Sequence, residues 1–187
     1  MHEIDLALIR AAAGGDVAAF EQIVRAYQQP VWRFLRRLLC DPALAEDVAQ
    51  ETFVRLWHRL DTFSFDAKFS TWVFQIARNA GIDELRKRER RQRLAGTTGA
   101  LRRVPSTPQE ARIELTEALD SLSLELREPL VLIEVLGLRY REAAGVLGIP
   151  EGTVKSRVFH ARRQLHLWSS AATDTAASNR VDRGGPS

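Results

Sequence analysis

The feature that most constrains this chain is the spacing of its apolar residues, which recur at steps of three and four in both halves. After Asp41-Pro42 the stripe is unbroken over four turns, at Ala45, Val48, Ala49, Thr52, Phe53, Leu56, Trp57 and Leu60. Such a stripe is typical of an amphipathic helix packed against a core. The alternating pattern of a half-buried strand does not extend over any useful length. We therefore predict an all-α fold.

Capping residues and prolines indicate where the helices begin and end. Asp16 and Asp41 can each cap a helix, and Pro42 at the first helical position strengthens the second of these starts. Ser70 can cap a further helix, which runs into a cluster of basic residues. Pro30 lies inside the helix that follows Asp16, and we expect it to break or bend that helix.

The composition along the 187 residues indicates two small helical domains rather than one. Residues 94–109 combine Gly and Thr clusters with two prolines and carry no helical apolar stripe, as flexible linkers do. We predict one domain over 1–93 and a second over 110–168. Residues 169–187 contain almost no large apolar side chain, and we expect them to form a disordered tail.

The segment 141–165 carries the residues that a helix-turn-helix requires. Ala144 is small enough for two helices to cross, Gly148 tolerates left-handed geometry in a tight turn, and Val154 can anchor the second helix. Cationic, hydroxyl and aromatic side chains remain on the outward face of that helix: Lys155, Ser156, Phe159, His160, Arg162 and Arg163. Such a face can enter a DNA major groove. The alternative is a solvated basic face on a structural hairpin, and the turn residues favour DNA binding.

A second candidate nucleic-acid surface lies near the end of the first domain. Residues 86–93 carry six basic residues and one acid, and the preceding loop offers Phe63, Phe65, Lys68 and Phe69. Aromatic rings interleaved with cations suit single-stranded DNA, because unstacked bases need a ring to stack on. Most of these aromatic residues must also serve the core, and basic residues at a helix end also complement the helix dipole.

A polar and acidic strip lies off the apolar face of the helix that follows Asp41. Its members are Asp47, Gln50, Glu51, Val54 and His58. Such a strip is usually only a solvated surface, but it can equally dock a basic partner. Periodicity alone does not separate the two interpretations.

Catalytic motifs are missing from the sequence. It has no G-x-x-x-x-G-K-[ST], no G-x-G-x-x-G after a strand, no H-E-x-x-H and no G-x-S-x-G, so we predict no enzyme, metal site or cofactor. Cys40 is the one cysteine, which excludes an intramolecular disulfide and fits a reducing compartment. No window approaches the length of a membrane span. We expect a cytoplasmic protein without membrane insertion.

Three segments, taken in order, resemble the conserved segments of extracytoplasmic-function sigma factors of bacterial RNA polymerase. They are DPALAEDVAQETFVRLW at 41–57, FSTWVFQIARNAGIDELRKRERR at 69–91 and LGLRYREAAGVLGIPEGTVKSRVFHARRQL at 136–165. The resemblance implies two helical domains, region two and region four, in a protein that binds core RNA polymerase and directs promoter-specific initiation. It also implies an anti-sigma factor as a partner.

Matched by position, the resemblance implies three sets of binding residues. Asp47, Gln50 and Glu51 match the surface by which the family docks on core polymerase. Phe63, Phe65, Lys68, Asn79, Asp83 and Arg86 match the part that captures melted bases of the minus-ten promoter element. Lys155, Ser156, Arg157, Phe159, His160 and Arg163 match the recognition helix for the minus-thirty-five element.

Two other classes of function are alternatives. A stand-alone helix-turn-helix regulator would bind duplex DNA without polymerase, which would leave the segments at 41–57 and 69–91 unexplained. A nucleic-acid enzyme is disfavoured because the catalytic motifs are missing. The leading hypothesis is therefore an alternative sigma factor.

Overall fold

The structure, a computed structural model, describes residues 4–95 and 115–181, without the side chains at 92, 95 and 169–181. Every regular element in these ranges is a helix, which confirms the all-α prediction. In chain order they are α1 (Leu6–Ala13), α2 (Val17–Leu39), α3 (Pro42–Arg59), a 3-10 turn (Leu60–Thr62), α4 (Phe69–Ala95), α5 (described over 115–120), α6 (Leu124–Glu134), α7 (Tyr140–Leu147) and α8 (Glu151–Val181). None of the helices in the described part combines the length and the hydropathy that crossing a bilayer requires. All but the first two residues of the predicted linker at 94–109 lie outside it.

Helix α2 forms the centre of the first half, packed against α1, α3 and α4. It begins at Asp16, whose carboxylate accepts a hydrogen bond from the Ala19 N–H at 3.1 Å. Its buried residues recur at helical spacing: Ala19, Ile23, Tyr27, Val31, Phe34, Leu35, Leu38 and Leu39. The ring of Phe34 meets the ring of Phe74 on α4 edge to face, with centroids 5.8 Å apart. One apolar stripe therefore holds three other helices in place.

The expectation that Pro30 would break or bend this helix is wrong in one respect, because α2 is a single helix from Val17 to Leu39. Tyr27 precedes the proline and Val31 and Phe34 follow it, and all three are buried in the same core. Proline removes one backbone hydrogen bond from a helix, and its ring clashes with the carbonyl four residues earlier. Packing of both halves of α2 against one core outweighs that cost.

Close approach of α4 to α2 depends on a glycine. A Cβ atom built on Gly81 would lie 3.0 Å from Leu38 Cδ2 and 3.2 Å from Leu35 Cδ2. A side chain here would force those leucines to move, and close-packed interiors accommodate such shifts poorly. Gly81 thus sets the distance between the two longest helices of the first half.

The second half contains the predicted helix-turn-helix. Helix α7 ends at Gly148, which has left-handed geometry with φ 67° and ψ 31°, and α8 begins at Glu151. Val154, Val158 and Ala161 on α8 are buried, and α6 packs against both α7 and α8. The buried stripe of α8 fixes which of its residues face outward.

A disordered tail was expected over 169–187, but helix α8 continues through 169–181 to Val181. Residues 182–187 of the predicted tail lie outside the described residues. Residues 169–181 include four alanines and neither Gly nor Pro, and alanine has the highest intrinsic helix propensity. The expectation rested on the scarcity of large apolar residues. Such residues are needed for packing but not for the continuation of a helix.

The two halves pack against each other through α2 with α6 and through α4 with α7. Arg127 on α6 is buried at this junction. Its guanidinium donates to the carbonyl of Leu38 in the last turn of α2 at 3.0 Å, and to the carbonyls of Asp120 and Leu122 at 2.8 and 3.0 Å. The last carbonyls of a helix lack partners within it. Arg127 therefore supplies from the second half a donor that the first half needs.

Replacement of Leu56 tests the core. Leu56 on α3 is fully buried, whereas Val54 on the same helix is 52% exposed. We expect Leu56→Ala to lower the free energy of unfolding by about 2–5 kcal/mol, because it removes buried methyl groups and leaves a cavity. Val54→Ala is the control and should change it by less than about 0.5 kcal/mol. Chemical denaturation followed by circular dichroism measures both, and equal losses would contradict the described burial.

Candidate docking and nucleic-acid surfaces

The strip of Asp47, Gln50 and Glu51 lies exposed on α3. Glu51 Oε1 accepts a hydrogen bond from Arg55 Nε at 2.9 Å, and Arg55 Nη1 donates to Asp83 Oδ2 on α4 at 3.1 Å. The hydrogen bonds that Arg55 donates to Glu51 and to Asp83 raise the pKa of Arg55. The predicted docking strip is thus tied to a predicted minus-ten residue. Arg55 was not among the residues predicted from the sequence. Its i,i+4 spacing from Glu51 indicates the contact with Glu51 but not the contact with Asp83.

A groove of about 600 Å³ lies beside the strip, between α2 and α3. Trp32, Phe53 and Val24 are among the apolar residues that line it, and Gln28 and Gln50 add side-chain amides. Gln50 belongs both to the groove and to the strip. An apolar groove with adjacent polar groups is suited to receive side chains from a partner helix.

The loop before α4 contains two aromatic residues with different environments. Phe63 is only 5% exposed, and its ring lies 4.9 Å from Phe65, 5.2 Å from Phe69 and 5.2 Å from Trp72, measured between centroids. Phe65 is 39% exposed, and its backbone is left-handed with φ 60°. The structure therefore places Phe63 inside the cluster and Phe65 at the surface.

The other predicted minus-ten residues divide between two places. Asn79, Asp83 and Arg86 are spaced at steps of four and three along α4, which puts them on one face. Lys68 instead faces the second half, where its Nζ lies 2.7 Å from Glu142 Oε1 on α7. This ion pair and the Arg139 backbone N–H lower the pKa of Glu142.

Most of the predicted recognition residues lie on the outward face of α8. Lys155, Ser156, Phe159, His160 and Arg163 are exposed there. The Lys155 ammonium lies 2.7 Å from Glu151 Oε1, and their hydrogen bond raises the pKa of Lys155.

Arg157 differs from the other predicted recognition residues. Its side chain is half-buried, and its Nη2 lies 3.4 Å from Glu125 Oε2 on α6. The structure therefore places Arg157 against the body of the second half and not on the outward face.

Two further polar contacts join α4 to the second half. Gln75 Nε2 donates to the carbonyl of Gly145 at 2.8 Å, and Arg78 Nη2 donates to Glu128 Oε2 at 3.0 Å. The Nε of Arg78 also approaches Glu128 Oε1 to 2.8 Å, without hydrogen-bond geometry. Burial raises the pKa of Glu128, and Arg78 opposes that effect. No pattern in the sequence predicts these contacts, because the partners lie 50 or more positions apart.

The half-buried Cys40 also lies at the junction, where it ends α2 in left-handed geometry with φ 54°. Its Sγ lies 3.5 Å from Arg127 Nη1. Burial raises the pKa of Cys40 to about 11, although the charge of Arg127 acts in the opposite direction. Because thiolates rather than thiols are nucleophilic, this raised pKa lowers the nucleophilicity of Cys40 at neutral pH.

Comparison with known families matches both halves of the chain. Residues 23–91 match the model of sigma-70 region 2, and residues 112–165 match that of sigma-70 region 4. The ECF RNA polymerase sigma factor SigC of Mycobacterium tuberculosis is 38% identical over 165 residues, 85% of this chain and 88% of the relative. SigW of Bacillus subtilis, also an ECF RNA polymerase sigma factor, is 34% identical over 172 residues, 84% and 92% of the two chains.

Solved structures give the same result for the fold. CnrH in complex with the cytosolic domain of CnrY aligns with a TM-score of 0.71 and 29% identity, over 88% of this chain and 96% of CnrH. The sigma factor RpoE in complex with the anti-sigma factor NepR, from Bartonella quintana, aligns with a TM-score of 0.70 and 30% identity, over 82% and 98%.

A bulky side chain at Gly145 should separate the two halves. A Cβ atom there would lie 3.2 Å from Thr71 Cγ2 on α4, so we expect Gly145→Leu to push α7 away and to increase the radius of gyration in small-angle X-ray scattering. Gly152→Leu on α8 is the control, because a Cβ atom at Gly152 meets nothing within 4 Å. An unchanged radius for Gly145→Leu, with the helical content retained, would contradict this packing.

Proposed function

Since this chain belongs to the extracytoplasmic-function sigma factors, and is therefore an alternative sigma factor for transcription initiation and not an enzyme, we propose which of its surfaces serves each partner. Residues 1–93 act as region two and 110–168 as region four, joined by 94–109. The two family matches, at 23–91 and 112–165, support this division. The protein acts in the cytoplasm, where core polymerase and promoter DNA are present.

Core RNA polymerase docks on α3 through the strip of Asp47, Gln50 and Glu51. All three side chains are exposed, and two are carboxylates that suit a basic partner. The groove beside Gln50 supplies apolar surface that would be buried on docking. Through Arg55, docking at Glu51 is connected to Asp83 on the neighbouring helix.

The melted minus-ten strand is captured by the loop before α4 and by one face of α4. Phe65 is exposed and offers a ring on which an unstacked base can lie, while Phe63 supports that ring from inside. Asn79, Asp83 and Arg86 provide an amide, a carboxylate and a cation along α4. Extrusion of a base costs a few kcal/mol, and contacts to polymerase must offset part of that cost.

The minus-thirty-five element is read as duplex by α8 in the major groove. Lys155, Ser156, Phe159, His160 and Arg163 face outward for this purpose. Arg157 contributes by its pairing with Glu125, which holds α8 on α6.

The two DNA readers are the minus-ten loop with α4 and the recognition helix α8. They separate when both promoter elements are bound. Lys68 of the minus-ten loop contacts α7, the neighbour of the recognition helix, so the readers lie within about two helix diameters, or ~20 Å. The names of the two elements, minus ten and minus thirty-five, imply a separation of about 25 base pairs, and duplex rises 3.4 Å per pair, which gives roughly 85 Å. The contacts of Lys68, Gln75 and Arg78 with the second half therefore break on promoter binding.

A protein inhibitor of the anti-sigma class is a further partner. Support comes from two similar proteins of known structure, CnrH and RpoE, which were solved with CnrY and NepR bound.

Run-off transcription tests the proposal. Core polymerase, with and without the chain, is mixed with a genomic promoter library, and the transcript start sites are mapped. Because both halves match sigma-70 regions, we expect the chain to confer start sites that core polymerase alone does not use. A stand-alone regulator would change the yield at existing start sites but add none, and that outcome would overturn the proposal.

Substitution on α3 should separate polymerase binding from DNA binding. We expect Asp47→Arg with Gln50→Ala to weaken association with core polymerase by tenfold or more. A tenfold loss corresponds to about 1.4 kcal/mol of binding free energy. The affinity of the chain for minus-thirty-five duplex should not change. Glu21→Arg with Gln22→Ala makes the same chemical changes at exposed positions of α2 and is the control. Equal loss of both activities in the α3 variant would contradict the division between surfaces.

Lys155 should contribute to the salt dependence of duplex binding. We expect Lys155→Ala to weaken binding to minus-thirty-five duplex and to reduce the slope of log K against log salt by at most about one, because one phosphate contact is lost. Fluorescence anisotropy over a salt series measures the slope. Arg25→Ala, at an exposed position of α2, should leave it unchanged. An unchanged slope for Lys155→Ala would remove this residue from the phosphate contacts.

A further inference from the structure

Helix α1 lies outside the segment that matches sigma-70 region 2, which begins at residue 23. It is nevertheless part of the folded first half, because Ile9 and Ala12 are buried in the core. It packs against α2 and against the 3-10 turn Leu60–Thr62. That turn leads directly into the loop of Phe63 and Phe65, so α1 lies beside the proposed site for the melted strand.

One side chain of α1 reaches this loop. The guanidinium carbon of Arg10 lies over the ring of Phe65, 5.3 Å from its centroid. A cation within about 6 Å of a ring centroid is attracted by the negative face of the ring. The ring of Phe63 contacts Phe65 as well, with centroids 4.9 Å apart. Arg10 and Phe63 together therefore define where the ring of Phe65 lies.

Burial does not account for the conformation of Phe65. Its backbone is left-handed, with φ 60°, which is unfavourable for a bulky side chain, yet 39% of the residue remains exposed. Strain of this kind persists only where neighbours hold it, and it is concentrated at binding sites. The loop thus keeps an aromatic ring at the surface in a defined position.

Among the residues that the structure describes, no salt bridge pairs Arg10 with an acid. Lys68 in the same loop differs, because its ammonium lies against Glu142. Arg10 therefore combines a contact to an exposed ring with a cation that a phosphate can approach. Base stacking beside a cation is the arrangement that binds single-stranded DNA.

We propose that Arg10 is a positioning residue for the opened promoter strand, which holds the Phe65 ring where an unstacked base can lie on it. This inference rests on the proposed function of the minus-ten loop. It adds to that function a residue from α1, outside the matched family segment. The ligand is single-stranded promoter DNA, and duplex DNA does not require the contact.

The test uses holoenzyme assembled from core polymerase and the full chain, on a promoter recovered from the run-off experiment. One version of the promoter is fully paired, and a second is held open across the minus-ten element by mismatches. The variants are Arg10→Ala, Arg10→Lys, Phe65→Ala and the double variant Arg10→Ala with Phe65→Ala, and Arg25→Ala is the control for loss of an exposed arginine. Fluorescence of 2-aminopurine in the minus-ten element gives the rate of opening, and titration gives the affinity for the opened version.

We expect Arg10→Ala to slow opening and to weaken binding to the opened version roughly two- to fivefold, the range for an exposed cation–π contact. Arg10→Lys keeps the charge but loses the planar stacking face, so it should restore only part of the loss. The double variant should be no slower than Phe65→Ala alone, because the two residues act through one contact. Affinity for core polymerase and for minus-thirty-five duplex should stay the same.

Three results would overturn the inference while leaving the proposed function intact. They are an unchanged opening rate for Arg10→Ala, effects of Arg10→Ala and Phe65→Ala that simply multiply, and an equal loss of core polymerase affinity, which would assign Arg10 to the folding of region two. If holoenzyme with the unaltered chain opens no promoter, the proposed function is overturned and the inference fails with it.

Discussion

The burial of α2 is the constraint on which the rest of the molecule depends. This one helix packs against α1, α3, α4 and α6. It therefore touches the elements that carry the proposed docking strip, the proposed minus-ten face and Arg10, and it also touches the second half. Its apolar stripe is continuous through Pro30, and Gly81 lets α4 lie close against it. Because interiors are close-packed, the positions of these surfaces relative to one another are set by contacts with α2 and not by the surfaces themselves.

The junction between the halves is built differently from the core of either half. Apolar residues of both halves belong to one buried cluster, but the specific contacts across the junction are made by Arg127, Arg78, Glu128, Lys68 and Gln75. Buried ion pairs add little net stability, although loss of a single partner is costly. When the halves separate, these groups regain water, which offsets part of the lost contact. Such a junction is specific in its geometry and still compatible with the proposed separation of the two DNA-binding surfaces.

Local patterns in the sequence were sufficient for much of this arrangement. The cap at Asp41 and the stripe that follows it predicted α3, and the same periodicity placed Asp47, Gln50 and Glu51 together. Features set by distant contacts were not predictable. The continuity of α2 through Pro30 depends on burial against other helices, and the contact between Arg78 and Glu128 spans 50 positions. No periodicity distinguishes the buried ring of Phe63 from the exposed ring of Phe65, because the loop is not helical and Phe65 itself has a left-handed backbone.

The pairing of cations with carboxylates across this chain affects the thermodynamics of its binding to nucleic acid. Lys68, Lys155 and Arg162 each contact a glutamate of the chain itself. When such a cation exchanges its glutamate for a phosphate, the DNA releases a sodium ion, but the freed carboxylate attracts one in turn. The net release of mobile ions is then smaller than the count of basic residues implies. A protein built in this way keeps an affinity for DNA that varies less with the ionic conditions of the cell.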